Sequence, residues 1–348
     1  MALATITFVI GVGLVVLTFW QAYQVFTTPA AAAVGAEKSG QPVQLQGIVD
    51  GVGNTVTRVI LLLLMAGLGS IVWARPWIMD PRLKDLLSFG PPPGVHYPLP
   101  LDRTPERVAQ AHGLLEVECL EGFDSPLKIA MLSRALCDQP EGLPPVAALC
   151  VYPAFVLAGQ GALGGRGVRL STVAGGFPHG LTTLEAATIE VATCAAMEVD
   201  EIEVVIPRYM ARSKDWMALS GWISELREAA HTCTFKVTIS AGELANRLTI
   251  YRATMCALVN GAEFVKTCTG KESDVVSPEV VEPMLHALAD WHNETNVPRG
   301  LVIGGGVESF ADAAPYLSLV QQILGEGYLQ PSLLRFSSVG LVDDLRGS

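Results

Sequence analysis

From residue 97 to residue 340 the chain alternates short apolar runs with longer amphipathic stretches, and this alternation restricts its fold more than any other feature. The apolar runs are YPLPL (97–101), AALCVYPAF (147–155), VRLSTVAGGF (168–177), EIEVVIP (201–207), FKVTIS (235–240), EFVKTCTG (263–270), GLVIGGGV (300–307) and LLRFSSVG (333–340). Between them lie segments long enough for helices. In 184–198 the apolar residues fall at helical spacing, and in 277–292 Ser277 offers an N-cap ahead of a proline at the first helical position. Eight strand-and-helix units in about 250 residues predict a (β/α)8 barrel, whose functional residues stand at the C-terminal ends of the strands. A doubly wound open sheet would want a GxGxxG turn after its first strand, and none is present there.

The N-terminal third has a different character. Residues 4–26, ATITFVIGVGLVVLTFWQAYQVF, carry no charge and are long enough to cross a hydrocarbon core of roughly 30 Å. A second run, 59–74, is flanked by Arg58, Trp73, Arg75 and Trp77, which suit a membrane interface. The expected organisation is a transmembrane helix at 1–27, a periplasmic loop at 28–56, a second transmembrane helix at 57–78, a Pro/Gly-rich linker at 79–95 and the barrel at 96–348. Between the two apolar runs the charged residues are only Glu37, Lys38, Asp50 and Arg58, whereas Arg75, Arg82 and Lys84 come directly after the second run. That asymmetry places the barrel on the cytoplasmic side of the inner membrane. A cleaved signal peptide is the competing reading of the first run, but it lacks a positively charged start.

Seven cysteines without paired spacing read as reduced core thiols and speak against structural zinc, and nothing in the motifs calls for a cofactor. A net charge of −11 leaves no basic stripe for a nucleic acid.

Lys266 lies at the end of a buried run among β-branched and small residues. On the residues alone it either does chemistry or forms a structural ion pair, and Glu203 is its natural partner. Taken together, LCVYPAF, GGFPHG, DEIEVVIP, KVTISAGEL, EFVKTCTGK, GGGVESFADAAPYL and LRFSSVGL stand in the order and spacing of the deoxyribose-phosphate aldolases, and residues 95–345 resemble that family. The resemblance implies a class I aldolase barrel in which Lys266 forms the imine with the sugar aldehyde and Glu203 stands where the family places an aspartate of the proton relay. It also implies that a second lysine, which would lower the pKa of the first, is replaced by Val302. Gly305, Gly306 and Lys271 match phosphate-gripping positions, while Val339 and Gly340, or Ser337 and Ser338 if a short gap is allowed, fall at a serine pair.

Loss of the second lysine and the presence of two spans lead to the expectation of a non-catalytic barrel, serving as an accessory subunit beside other transmembrane subunits of a bacterial-type membrane complex, of which photosynthetic and respiratory assemblies are examples. The alternative is an active membrane-tethered aldolase that acts on a small phosphorylated sugar through a Schiff base at Lys266.

Overall fold

The computed structural model describes residue 85, residues 87–92 and residues 97–347, with 139, 245 and 273–275 excepted. The expected spans at 1–27 and 57–78 and the loop between them lie outside these residues. Among the described residues no helix is long and apolar enough to cross a membrane.

Eight parallel strands close into a barrel in sequence order: β1 (Leu115–Cys119), β2 (Ala148–Val151), β3 (Arg169–Ala174), β4 (Glu201–Val205), β5 (Thr234–Thr238), β6 (Phe264–Lys266), β7 (Gly300–Gly304) and β8 (Leu334–Ser337). One strand differs from the sequence expectation. YPLPL at 97–101 forms no strand, and β1 is instead LEVEC, which precedes the next helix by a short turn. Two prolines deny YPLPL a ladder donor at alternate positions, whereas LEVEC supplies β-compatible residues with both faces covered.

Helices α1 (Pro105–Gly113), α2 (Pro126–Cys137), α3 (Val156–Leu163), α4 (Leu184–Ala195), α5 (Arg208–Arg212), α6 (Trp216–Ala229), α7 (Arg247–Val259), α8 (Pro278–Thr295), α9 (Phe310–Leu324) and α10 (Gly340–Arg346) surround it. Their starts are written in the sequence. Thr104, Ser125, Thr183, Asp215 and Asn246 accept backbone N–H groups of the first turn, and Ser309 with Asp312 forms a capping box. Ser277 occupies the N-cap of α8 ahead of Pro278, but its hydroxyl makes no capping bond.

The apolar core is the shell between strands and helices. Outward-facing residues such as Val117, Leu149, Ile202, Val237, Val265, Ile303 and Phe336 are buried there against the helices. Since side chains alternate along a strand, the partners of these residues in sequence must point into the lumen. There the sequence places charge: Glu116, Glu201, Glu203, Lys236, Lys266 and Arg335 are all buried, and Glu118 is 14% exposed at the side chain.

Candidate active site

Lys266 ends β6 with its ammonium group inside the barrel mouth. Its Nζ donates to Glu203 Oε1 and Oε2 at 3.1 and 3.0 Å and to Glu118 Oε1. Glu203 is held in turn by Thr238, whose hydroxyl donates to Glu203 Oε1 at 2.8 Å. Four strands therefore converge on one cation. Burial alone would lower the Lys266 pKa, but the carboxylates of Glu118 and Glu203 outweigh it and hold the group well above its ordinary value. Burial, with help from the neighbouring Glu203, raises the Glu118 carboxyl above its usual range, although Lys266 draws it down.

Val302 is the register partner of Lys266 on β7 and is fully buried. Among the described residues no cation is seen to counter the carboxylates on Lys266, and only burial works against them.

A second set of ion pairs lies below the first. Lys236 Nζ is paired with Glu116 and with Glu201 at 3.1 Å. Arg335 donates from Nη1 to Glu116 at 2.9 Å and, in a fork, to Glu201 at 2.7 and 2.8 Å. Its guanidinium also stacks 4.5 Å from the Phe264 ring centroid. Burial would raise the Glu116 and Glu201 carboxyls, but Lys236 and Arg335 pull both below their ordinary range. Isolated charges are not tolerated in such a place, and the alternation of sign is what permits them.

The mouth above this ionic column is apolar on one side. Leu120, Cys150 and Val173 cluster there against Tyr152 and Phe177, whose rings meet edge to face at 6.0 Å. At the same end, Arg208 bridges Glu243 at 3.0 Å and Glu272 at 3.3 Å and donates to His179 Nδ1 at 2.7 Å, while Ser240 donates to Glu272 at 2.5 Å.

The phosphate-site candidates lie on loops at the same end. Gly305 and Gly306 follow β7 with φ of 98° and 83°, backbone that a side chain would strain. Lys271 Nζ is bound to Glu121 at 2.8 Å. At the head of α10, Ser338 Oγ accepts from Leu341 N at 3.1 Å and Val339 is the N-cap residue.

Glu116, Cys150 and Glu203 bring possible metal ligands within 4.8 Å of one another. The set does not fit a cation: Lys236, Arg335 and Lys266 already occupy both carboxylates, and burial pushes the Cys150 thiol well up, so that it is no thiolate. All seven cysteines are free.

The sequence reading brought Lys266 and Glu203 together. It missed Glu118, Lys236, Glu116, Glu201 and Arg335, although charge at every second position of LEVEC, EIEVV, FKV and LRF was the available signal. In a fold buried on both faces, such residues have only the lumen to occupy.

A parallel closed barrel with a lysine among carboxylates at its C-terminal end defines a (β/α)8 protein with a lysine-centred site. The chain belongs to the deoxyribose-phosphate aldolase family. It is 35% identical to human deoxyribose-phosphate aldolase over 216 residues, spanning 62% of this chain and 68% of that protein. With the enzyme of that name from Agrobacterium fabrum it shares 32% identity over 249 residues, 70% of this chain and 92% of the relative. A barrel solved from Toxoplasma gondii ME49 superposes with a TM-score of 0.63 at 23% identity, covering 70% of this chain and 94% of that one, which bears on the fold. No family model matches the chain.

These comparisons correct the expectation of a non-catalytic accessory subunit. The relatives are named for an aldolase, and the lysine that the resemblance assigns to imine formation stands at the C-terminal end of β6 with carboxylates in contact.

Proposed function

We propose that the barrel is a Schiff-base aldolase of the deoxyribose-phosphate type, cleaving or forming a carbon–carbon bond in a small phosphorylated sugar through an imine at Lys266. The observation that carries this reading is the contact of one buried lysine with two carboxylates of unlike character, Glu118 at the edge of the mouth and Glu203 within it.

An amine attacks a carbonyl only when neutral. Lys266 rests as an ammonium ion and must first release a proton, and Glu118, whose burial favours its neutral form, is the nearest acceptor. The free amine then adds to the aldehyde carbon, the oxygen is protonated, and water leaves as the imine forms. Glu203, fixed by Thr238, is placed to exchange the proton on the carbon next to the imine. Gly305, Gly306 and Lys271 are assigned to the phosphate, with Lys271 exchanging Glu121 for it.

The test is borohydride reduction in the presence of acetaldehyde or deoxyribose phosphate, with the adduct located by mass spectrometry. A single adduct at Lys266, absent from Lys266→Met, is expected. Turnover that persists in Lys266→Met refutes the reading.

The finer arrangement is a membrane tether. Two helices at 1–27 and 57–78 hold the barrel at the cytoplasmic face of the bilayer, a reading supported by the uncharged run 4–26 and by the arginines after the second run.

A further inference from the structure

At the N-terminal end of the barrel, opposite the mouth, lies a cavity of about 480 Å³ whose lining includes Arg169, Arg299, Arg335, Glu201 and Glu263. Three guanidiniums thus face two carboxylates. Glu263 is engaged elsewhere: its Oε2 accepts from Phe235 N at 2.8 Å and stands 3.4 Å from Arg227. Glu201 is shared by Arg335, Arg169 and Lys236.

Arg299 has no counterpart. Among the described residues its side chain has no hydrogen bond or ion pair, and its Nε is buried without a partner. The residue is partly exposed and lines the cavity, so its fork is available to a guest there. The surroundings suit one kind of guest. Arg169 is 43% exposed at its side chain and can turn part of its fork toward the cavity. Thr234 Oγ1 accepts from Arg169 at 3.0 Å, which leaves the Thr234 hydroxyl hydrogen free to donate. Planar forks and a hydroxyl match the oxygens of a tetrahedral dianion.

We propose that this cavity binds a small phosphate dianion, either inorganic phosphate or the phosphate group of an ester. The site is separate from the phosphate contacts at the mouth and stands whether or not Lys266 forms an imine.

The experiment uses the full chain in mild detergent, in a Lys271→Met background that weakens the mouth's own phosphate contacts. Calorimetric titration with inorganic phosphate and, in a second arm, with glycerol 1-phosphate identifies which source the cavity prefers. Arg299→Met is expected to weaken binding roughly tenfold or more in the preferred arm, as loss of a charge-assisted fork does. The residue forms no pair whose loss would harm the fold. A second measurement needs no variant: phosphate should shield Arg299 of the unaltered protein from modification by phenylglyoxal, read by mass spectrometry. Equal binding by Arg299→Met, or modification of Arg299 at the same rate with and without phosphate, overturns the assignment.

Discussion

Lys266 and Glu118, 148 residues apart in sequence, meet across the mouth of the barrel in a direct hydrogen bond. One carboxylate of the two that hold the lysine charged is thus supplied by β1, the strand hardest to recognise in the sequence. Glu118→Gln removes that carboxylate and keeps the shape. The pH dependence of imine trapping at Lys266 is expected to move toward acid by about one unit or more, a change of at least ~1.4 kcal/mol in the balance between ammonium and amine, while turnover falls because the proton acceptor is gone. An unmoved trapping profile would show that Glu118 does not govern the lysine.

Val302 faces the same lysine from β7. A second ammonium there would compete for Glu118 and Glu203 and lower the Lys266 pKa. Val302→Lys combined with Glu203→Asp is expected to raise trapping at neutral pH above that of the parent, whereas Val302→Met with the same partner change, which adds bulk without charge, should not. Equal trapping in the two variants would remove charge as the cause.

The ionic column also sets how stability follows pH. Lys266 and Lys236 have raised pKa values in the fold, so their contribution is complete below the unfolded lysine value of about 10.4 and is lost as pH rises beyond it. Glu116 and Glu201 are depressed, so theirs is complete above about 4.3 and is lost as pH falls below it. Glu118 runs the other way, since its raised pKa favours the fold in acid. Burial also raises the thiols of Cys119, Cys194, Cys256 and Cys268, whose contribution is lost above about pH 8.5, and lowers His112, whose contribution is complete only above about pH 6.5. Thermal unfolding of the full chain is therefore expected to be highest between about pH 7 and 8, with a decline on both sides. A midpoint that keeps climbing above about pH 9 would contradict the burial and pairing described here.

The proposed tether makes a separate prediction. Cysteines introduced at Ser39 should react with a membrane-impermeant maleimide added outside intact cells, and cysteines introduced at Ser88 should react only after lysis. The reverse pattern would invert the arrangement, and reaction at both positions would remove the tether.

Most of the barrel is legible in the sequence because its strands are covered on both faces and so stand out as apolar runs between capped helices. LEVEC escapes that logic: Glu116 and Glu118 alternate with Leu115, Val117 and Cys119, a pattern that reads as one face in water. The lysine of β6 is legible by its family position, and Glu203 by its chemistry. Lys236 and Arg335 are not, since each is a lone cation inside an apolar run. Their meaning depends on Glu116 and Glu201, which only closure of the barrel brings to them.

The alternation of charge along the lumen also governs how the strands find one another. Side chains repeat with period two, so a slip of β5 by one residue would turn Lys236 outward into the apolar shell and leave Glu116 and Glu201 short of a cation. A barrel filled with aliphatic residues would accept many such slips at small cost. Here each misaligned closure strands a charge of one sign or the other, so the column serves as a template that selects the register in which β8 closes against β1.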